Sequence, residues 1–325
     1  MTTGSQSGER AAGALYGLAI GDALGMPTQS LPRAQIAASY GPLLQAFEPA
    51  PPGHPVAAGM PAGAVTDDTE QAVLLARLII DRDGRVDAAE FAALLLGWEE
   101  SMRARGSLDL LGPSTKRAVS ALMAGADIEQ AGRLGVTNGA AMRITPVGIA
   151  TPSDDLDGLV DRVVAASRAT HNTGVALAGA AGLDDAISLA VAAAARAAGR
   201  GHWVAAADVA SRISWATHLV AGLEIGEVIE TVYALVGTSL ATQESVPAAF
   251  AVLAASPDDP WLACRIAASL GGDCDTIAAM AGAIGGACHG VDAFPETVRG
   301  TVARVNHLRL DEIAGDLLAL RKPGP

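Results

Sequence analysis

Apolar residues recur at spacings of three and four along almost the whole chain, which marks one-sided helices rather than strands. Leu15, Leu18 and Ala19 share a face that ends at the Gly21-Asp22-Ala23-Leu24-Gly25 break. Val73, Leu74, Arg77 and Leu78 repeat the spacing in a helix that begins at Asp67/Asp68 and stops near Asp83-Gly84. Asp87, followed by Glu90, reads as a capping box for a helix from Ala88 to about Arg103. Gly112-Pro113-Ser114-Thr115 starts another, and Thr137-Asn138-Gly139 precedes a small-residue helix that Pro146 disrupts. Further helices are predicted over 155–169, 173–199, 204–222, 225–238, 245–256 and 258–270, from about Asp275 to Cys288, and after Pro295 and His307. The Val, Ile, Thr and Tyr alternation of strands is nearly absent. Residues 31–65, with Pro49, Pro51, Pro52, Gly53, Pro55 and Pro61, read as a long loop, and such loops in compact domains are usually functional or mobile. No linker and no fixed-period repeat divides the chain, so one all-α domain over residues 1–325 is expected.

Composition sharpens that reading. Half of the residues are hydrophobic but only 3% are aromatic. An alanine-rich core follows, with high helix propensity and room for helices to approach closely. The formal net charge of −13, with no compensating Lys/Arg stripe, repels a phosphate backbone, so nucleic acid is not an expected partner. Cys264, Cys274 and Cys288 are odd in number and absent from the first 263 residues, which rules out a disulfide framework and fits a reducing compartment. Glu9 precedes the apolar stretch from Ala11 to Gly25, and Asp22 interrupts it. With no basic region before it, neither a signal peptide nor a membrane span is expected, and the expected location is the cytoplasm.

The chemistry is concentrated in two distant clusters, Thr66-Asp67-Asp68-Thr69 and Asp273-Cys274-Asp275-Thr276. Each sets two carboxylates beside a hydroxyl at a predicted helix start. Capping explains one cluster, because Thr and Asp satisfy free N–H groups and suit the helix dipole. Two matched clusters point instead to a two-metal site. All-oxygen ligands suit Mg²⁺, Mn²⁺ or Ca²⁺ rather than zinc, and four carboxylates brought together need a counter-charge. Gly271 and Gly272 permit the sharp turn before Asp273. Asn138-Gly139-Ala140-Ala141 opens a helix whose N–H groups suit a phosphate, with a simple Asn-Gly cap as the alternative. His171, in Ala169-Thr170-His171-Asn172-Thr173, is either a hydrogen-bonded structural residue or a substrate contact.

These motifs, in this order, resemble those of the ADP-ribosylglycohydrolase family: Gly21-Asp22-Ala23-Leu24-Gly25, Thr66-Asp67-Asp68-Thr69, Asn138-Gly139-Ala140-Ala141-Met142-Arg143, Thr170-His171 and Gly271-Gly272-Asp273-Cys274-Asp275-Thr276. The resemblance spans Gly17 to about Gly290. It implies an all-α, orthogonal helix-bundle fold around a central cleft with two Mg²⁺ ions, or Mn²⁺, held by Thr66, Asp67, Asp68, Asp273, Asp275 and Thr276. It further implies hydrolysis at the anomeric carbon of an ADP-ribosyl or ribosyl substrate through an oxocarbenium-like transition state, with Asp67, Asp68 and Asp273 catalytic. Asp22, Asn138, Gly139, Ala140 and His171 would line the substrate. Gln29 stands where several members of that family carry a glutamate assigned as a gate or proton handler, and an amide cannot take a proton. The alternatives are therefore a hydrolase of a small riboside and a non-catalytic member that binds ADP-ribose.

Overall fold

The computed structural model describes residues 3–152, 154–181 and 187–321, with side chains from residue 6 onward. Its α-helices, in chain order, are α1 (Thr3–Gly25), α2 (Arg33–Tyr40), α3 (Asp67–Asp81), α4 (Ala88–Ala104), α5 (Pro113–Met123), α6 (Ile128–Ala131), α7 (Thr145–Ala150) and α8 (Leu156–Ser167). They continue with α9 (Gly174–Ala181), α10 (Ile187–Ala198), α11 (Val209–Leu219), α12 (Ile225–Thr231), α13 (Thr242–Ala255), α14 (Pro260–Ala268), α15 (Cys274–His289), α16 (Glu296–Val305) and α17 (Leu310–Ala319). Extended pairing among the described residues is limited to two isolated bridges, Thr137 with Ala241 and Thr173 with His202.

The fold is organised by the pairing of α1 with α15. Gly13, Gly17, Gly21 and Gly25 recur every fourth residue, so they line one face of α1. A methyl on Gly13, Gly17 or Gly21 would lie 1.9–2.3 Å from the backbone oxygens of Gly286, Gly282 and Ala278, and one on Gly25 would lie 2.3 Å from the Asp275 Cα. The opposed order of these partners makes the two helices antiparallel and packed backbone to backbone. This contact brings Asp22 of α1 to the acid-bearing start of α15. Around it, one hydrophobic cluster draws on residues from Ala11 to Leu317, with Phe91, Phe250 and Phe294 among its largest buried side chains.

Several local expectations change. The loop predicted over 31–65 contains α2, and its remainder is tied down by Leu44 N–H to Ser269 Oγ (2.9 Å) and Ala50 N–H to the Met60 carbonyl (3.1 Å). Pro146 starts a helix rather than disrupting one: it occupies the first turn of α7, where a missing N–H costs nothing. The helix predicted over 173–199 comprises α9 and α10, and residues 182–186 between them lie outside the described residues. Asp87 does cap α4, but Glu90 turns to Arg82 instead of closing the box. A complete capping box occurs at Glu224 and Glu227. The 225–238 segment finishes as a π-helical turn over Val232–Val236.

Candidate functional site

Both acidic clusters lie at helix N-termini, yet their carboxylates do not cap those helices: at α3 the Thr66 hydroxyl oxygen accepts from Asp68 N–H (3.4 Å), and Asp22 of α1 adds to it. The Asp22 carboxylate accepts from Thr66 N–H (3.0 Å to each oxygen), Thr66 Oγ1 (2.8 Å), Thr69 N–H (3.1 Å) and Thr69 Oγ1 (2.5 Å). It thus caps α3 from a different helix. Asp22 is fully buried and fully engaged, so the expected substrate contact gives way to a structural one. Asp273 occupies the N-cap of α15 but makes no side-chain capping bond. The acids of the two clusters are left for other work.

What they face is one another. Thr276 Oγ1 donates to Asp68 Oδ1 (3.3 Å), bridging the clusters across 208 residues of sequence. Asp67 Oδ2 accepts from Gln71 Nε2 (2.8 Å), and Asp273 Oδ2 accepts from Asn138 Nδ2 (2.5 Å). Asp68 Oδ2 and Asp275 Oδ1 are buried with no hydrogen-bond partner. Among the described residues, none of these acids has a basic side chain within ion-pair distance. Burial, and then mutual repulsion, raises the pKa of Asp67, Asp68 and Asp275 well above the carboxylate range. Burial alone takes Asp22 and Asp273 to about 6 despite their hydrogen bonds.

A sixth acid, which the motif reading missed, joins them. Asp109 lies in the loop between α4 and α5, its carboxylate against the Asp67 backbone N–H and its Oδ2 buried without a partner. Burial raises it to about 7, and it is the foremost charge acting on Asp67. Its only sequence signal is a lone acid within Leu108-Asp109-Leu110-Leu111.

The donor set fits a hard divalent cation in its chemistry: carboxylates, hydroxyls and two orphaned carboxylate oxygens. As the side chains stand, however, no group of three or more Asp, Glu, His or Cys residues among those described is arranged to hold a metal ion.

The second half of the expected site is rearranged. Asn138–Ala140 forms a three-residue 3₁₀ turn, not a helix start. The Asn138 N–H is bound to the Leu240 carbonyl (3.0 Å), and its side chain holds Asp273 and Ser245. A methyl on Gly139 would meet His171 Cε1 at 3.0 Å, so the absence of a side chain here leaves room for the imidazole. Ala140 is buried in the core. His171 is itself inaccessible, with Nδ1 against Thr170 Oγ1 (2.8 Å) and Nε2 against the half-buried Thr137 Oγ1 (3.0 Å). Thr137 is half-buried, whereas His171 is fully buried. Burial, aided by Arg143 and Arg117, drives the His171 pKa far down and keeps the ring neutral.

Gln29 lies on the turn after α1. Its carbonyl accepts from His54 Nε2 (2.9 Å), while His54 Nδ1 accepts from Ala57 N–H (2.9 Å). Ser30 N–H bonds the Gly272 carbonyl (2.6 Å), which seats the turn against the Gly271–Asp273 bend. The Gln29 Nε2 is buried with no partner.

The ADP-ribosylglycohydrolase family model matches residues 3–325, nearly the whole chain. The chain belongs to the ADP-ribosylglycohydrolase family. It is 36% identical over 335 residues to the uncharacterized protein YegU of Escherichia coli (strain K12), covering 97% of this chain and 98% of YegU. It is 31% identical over 176 residues to the ADP-ribosyl-[dinitrogen reductase] glycohydrolase of Rhodospirillum rubrum, covering 52% of this chain and 54% of that protein. Among solved structures it is similar to an ADP-ribosylglycohydrolase-related protein complex, with a TM-score of 0.66, 26% identity and coverage of 98% and 100%. For an ADP-ribosylglycohydrolase-family chain the all-α architecture is the shared feature. No helix among the described residues is long and apolar enough to cross a membrane.

Proposed function

We propose that this protein is a metal-dependent glycohydrolase that cleaves the anomeric bond of an ADP-ribosyl or ribosyl substrate. One observation carries the reading: the acids of both clusters converge, Asp68 and Asp275 buried and Asp67 and Asp273 half-buried, without capping duties and, among the described residues, without a basic partner. Thr66, Asp67, Asp68, Asp273, Asp275 and Thr276 would hold two divalent cations, Mg²⁺ or Mn²⁺. Such ions supply a template for vicinal hydroxyls and a lowered pKa for water.

The chain's own residues do the rest. Gln71 and Asn138 orient Asp67 and Asp273, one from each cluster. Asp22 fixes the start of α3, so that Asp67 and Asp68 stay aimed across at α15. The Gln29 amide can donate to a ligand but cannot take its proton. That unpartnered amide favours the second reading, in which the substrate is a small riboside with a good leaving group rather than ADP-ribosyl-arginine or ADP-ribosyl-serine.

Calorimetric titration of Mg²⁺ or Mn²⁺ into chelator-treated protein should give two sites per chain, lost in Asp67→Asn and Asp275→Asn. A panel of ribosides and ADP-ribosyl compounds, scored for released ribose or ADP-ribose, then names the substrate. Absence of cation binding, or binding indifferent to both substitutions, removes the two-metal reading.

A further inference from the structure

Arg143 is 1% exposed, yet it has no carboxylate within ion-pair distance among the described residues. A buried charge of that kind is costly unless its donors are used. Its Nη1 donates to Gln71 Oε1 (2.9 Å), its Nη2 donates to Thr170 Oγ1 (2.6 Å), and the guanidinium lies 5.2 Å from the Phe91 ring centre. Each partner continues toward a different side of the site. Because a guanidinium only donates, these two bonds dictate which atom of each neighbour accepts.

On the first side, Gln71 must present its oxygen to Arg143. Its amide nitrogen is thereby turned to Asp67 Oδ2, at 2.8 Å. On the second side, Thr170 Oγ1 accepts from Arg143 and has one hydrogen to give. His171 Nδ1 lies 2.8 Å away, whereas the Ser167 carbonyl is at 3.5 Å, so the hydrogen goes to Nδ1. The neutral imidazole then carries its proton on Nε2 and donates to Thr137 Oγ1 at 3.0 Å. With that oxygen accepting, the hydroxyl hydrogen of the half-buried Thr137 is left to be donated elsewhere, one residue from the Asn138 that holds Asp273.

We propose that Arg143 is the positioning residue for both halves of the site: through Gln71 it orients Asp67, and through Thr170 and His171 it makes Thr137 an outward hydrogen-bond donor to an oxygen of the bound ligand. The Thr137 part rests on the reading under Proposed function; the chain of hydrogen directions does not. Deep burial beside a second cation keeps His171 neutral, as this chain requires.

The test uses the full chain with ¹⁵N-labelled histidine, the His171 signals being assigned by their loss in His171→Asn. His171 should be the neutral Nε2–H tautomer from pH 6 to pH 8, and Thr170→Val should abolish that preference while Thr170→Ser retains it. The Nδ1–H tautomer in the wild type, or a tautomer unmoved by Thr170→Val, overturns the proposal whatever the protein hydrolyses. Because Arg143 variants risk misfolding, Thr170 and Thr137 carry the test. Calorimetry with ADP-ribose should then show Thr137→Val weakened about tenfold, the scale of one hydrogen bond, and Thr137→Ser close to wild type. Equal affinity for all three overturns the donor role of Thr137. If the tautomer is as stated but the wild type binds no ADP-ribose, the substrate assignment and the Thr137 role fall together, while the hydrogen-direction chain stands.

Discussion

Replacing Gly17 by alanine tests the packing on which the site depends. In an isolated helix the change is favourable by about 1 kcal/mol. Here the new methyl would sit 2.0 Å from the Gly282 oxygen and 2.5 Å from its carbonyl carbon, where ordinary contact begins near 3.4 Å. The obstacle is backbone, which cannot rotate away as a side chain would, so α1 and α15 must part by more than 1 Å. Overpacking of this kind costs ~3 kcal/mol at the upper end of its usual range, leaving a net loss of about 2 kcal/mol. For a chain of 325 residues, with an unfolding entropy of ~2.1 cal/mol/K per residue, that lowers Tm by about 3 °C. Gly8 provides the control, since it lies on the same helix with nothing within 4 Å of its would-be methyl. Gly8→Ala should raise Tm by about 1 °C. Gly282→Ala, whose methyl would strike the Gly17 oxygen at 2.0 Å, should cost less in the Gly17→Ala background than alone, because the helices have already separated. Scanning calorimetry of the wild type, the three single variants and the Gly17→Ala/Gly282→Ala double variant reads all of this. A Gly17→Ala protein as stable as Gly8→Ala would show that the close contact between α1 and α15 is wrong.

Three more outcomes follow from the buried acids and the α1 turn. Asp22 and Asp273, near 6, and Asp109, near 7, titrate above the ordinary value of about 4, so the folded state holds their protons more tightly than the unfolded chain does. The stability they contribute is complete below pH ~4 and lost as pH rises through 6 and 7; cation-free protein should therefore melt lower at pH 8 than at pH 5, and a Tm that climbs over this range contradicts the assignment. Asp68→Asn, which removes a buried acid with an unpartnered oxygen crowded by other carboxyl groups, should leave the cation-free melting temperature equal or higher while abolishing turnover; a lower Tm with unchanged kcat would return Asp68 to a capping role. Gln29→Glu should raise hydrolysis of ADP-ribosyl-protein substrates by ~10²–10⁴-fold, the usual scale of acid–base assistance, and brisk wild-type activity unaffected by the change would make position 29 a bystander.

The sequence by itself determined the helical class, most helix positions and the two acid-rich helix starts. Those features depend on propensity and periodicity over four or five neighbours, which survive without knowledge of the partner. The spacing of Gly13, Gly17, Gly21 and Gly25 was equally legible, but its meaning was not, because the surface it fits lies some 260 residues away on α15. Pairings at such distances are chosen by packing. Tertiary packing alone could turn Asp22 into the cap of another helix, fold Asn138–Ala140 into a 3₁₀ turn, and draw Asp109 from an apolar loop to the acids. The same holds for His171, where a histidine-bearing motif suggested a contact with substrate. Burial consumed both ring nitrogens, which are taken by the Thr170 and Thr137 hydroxyls. Local rules say which side chains are chemically capable; the three-dimensional neighbours decide which of their atoms are already taken.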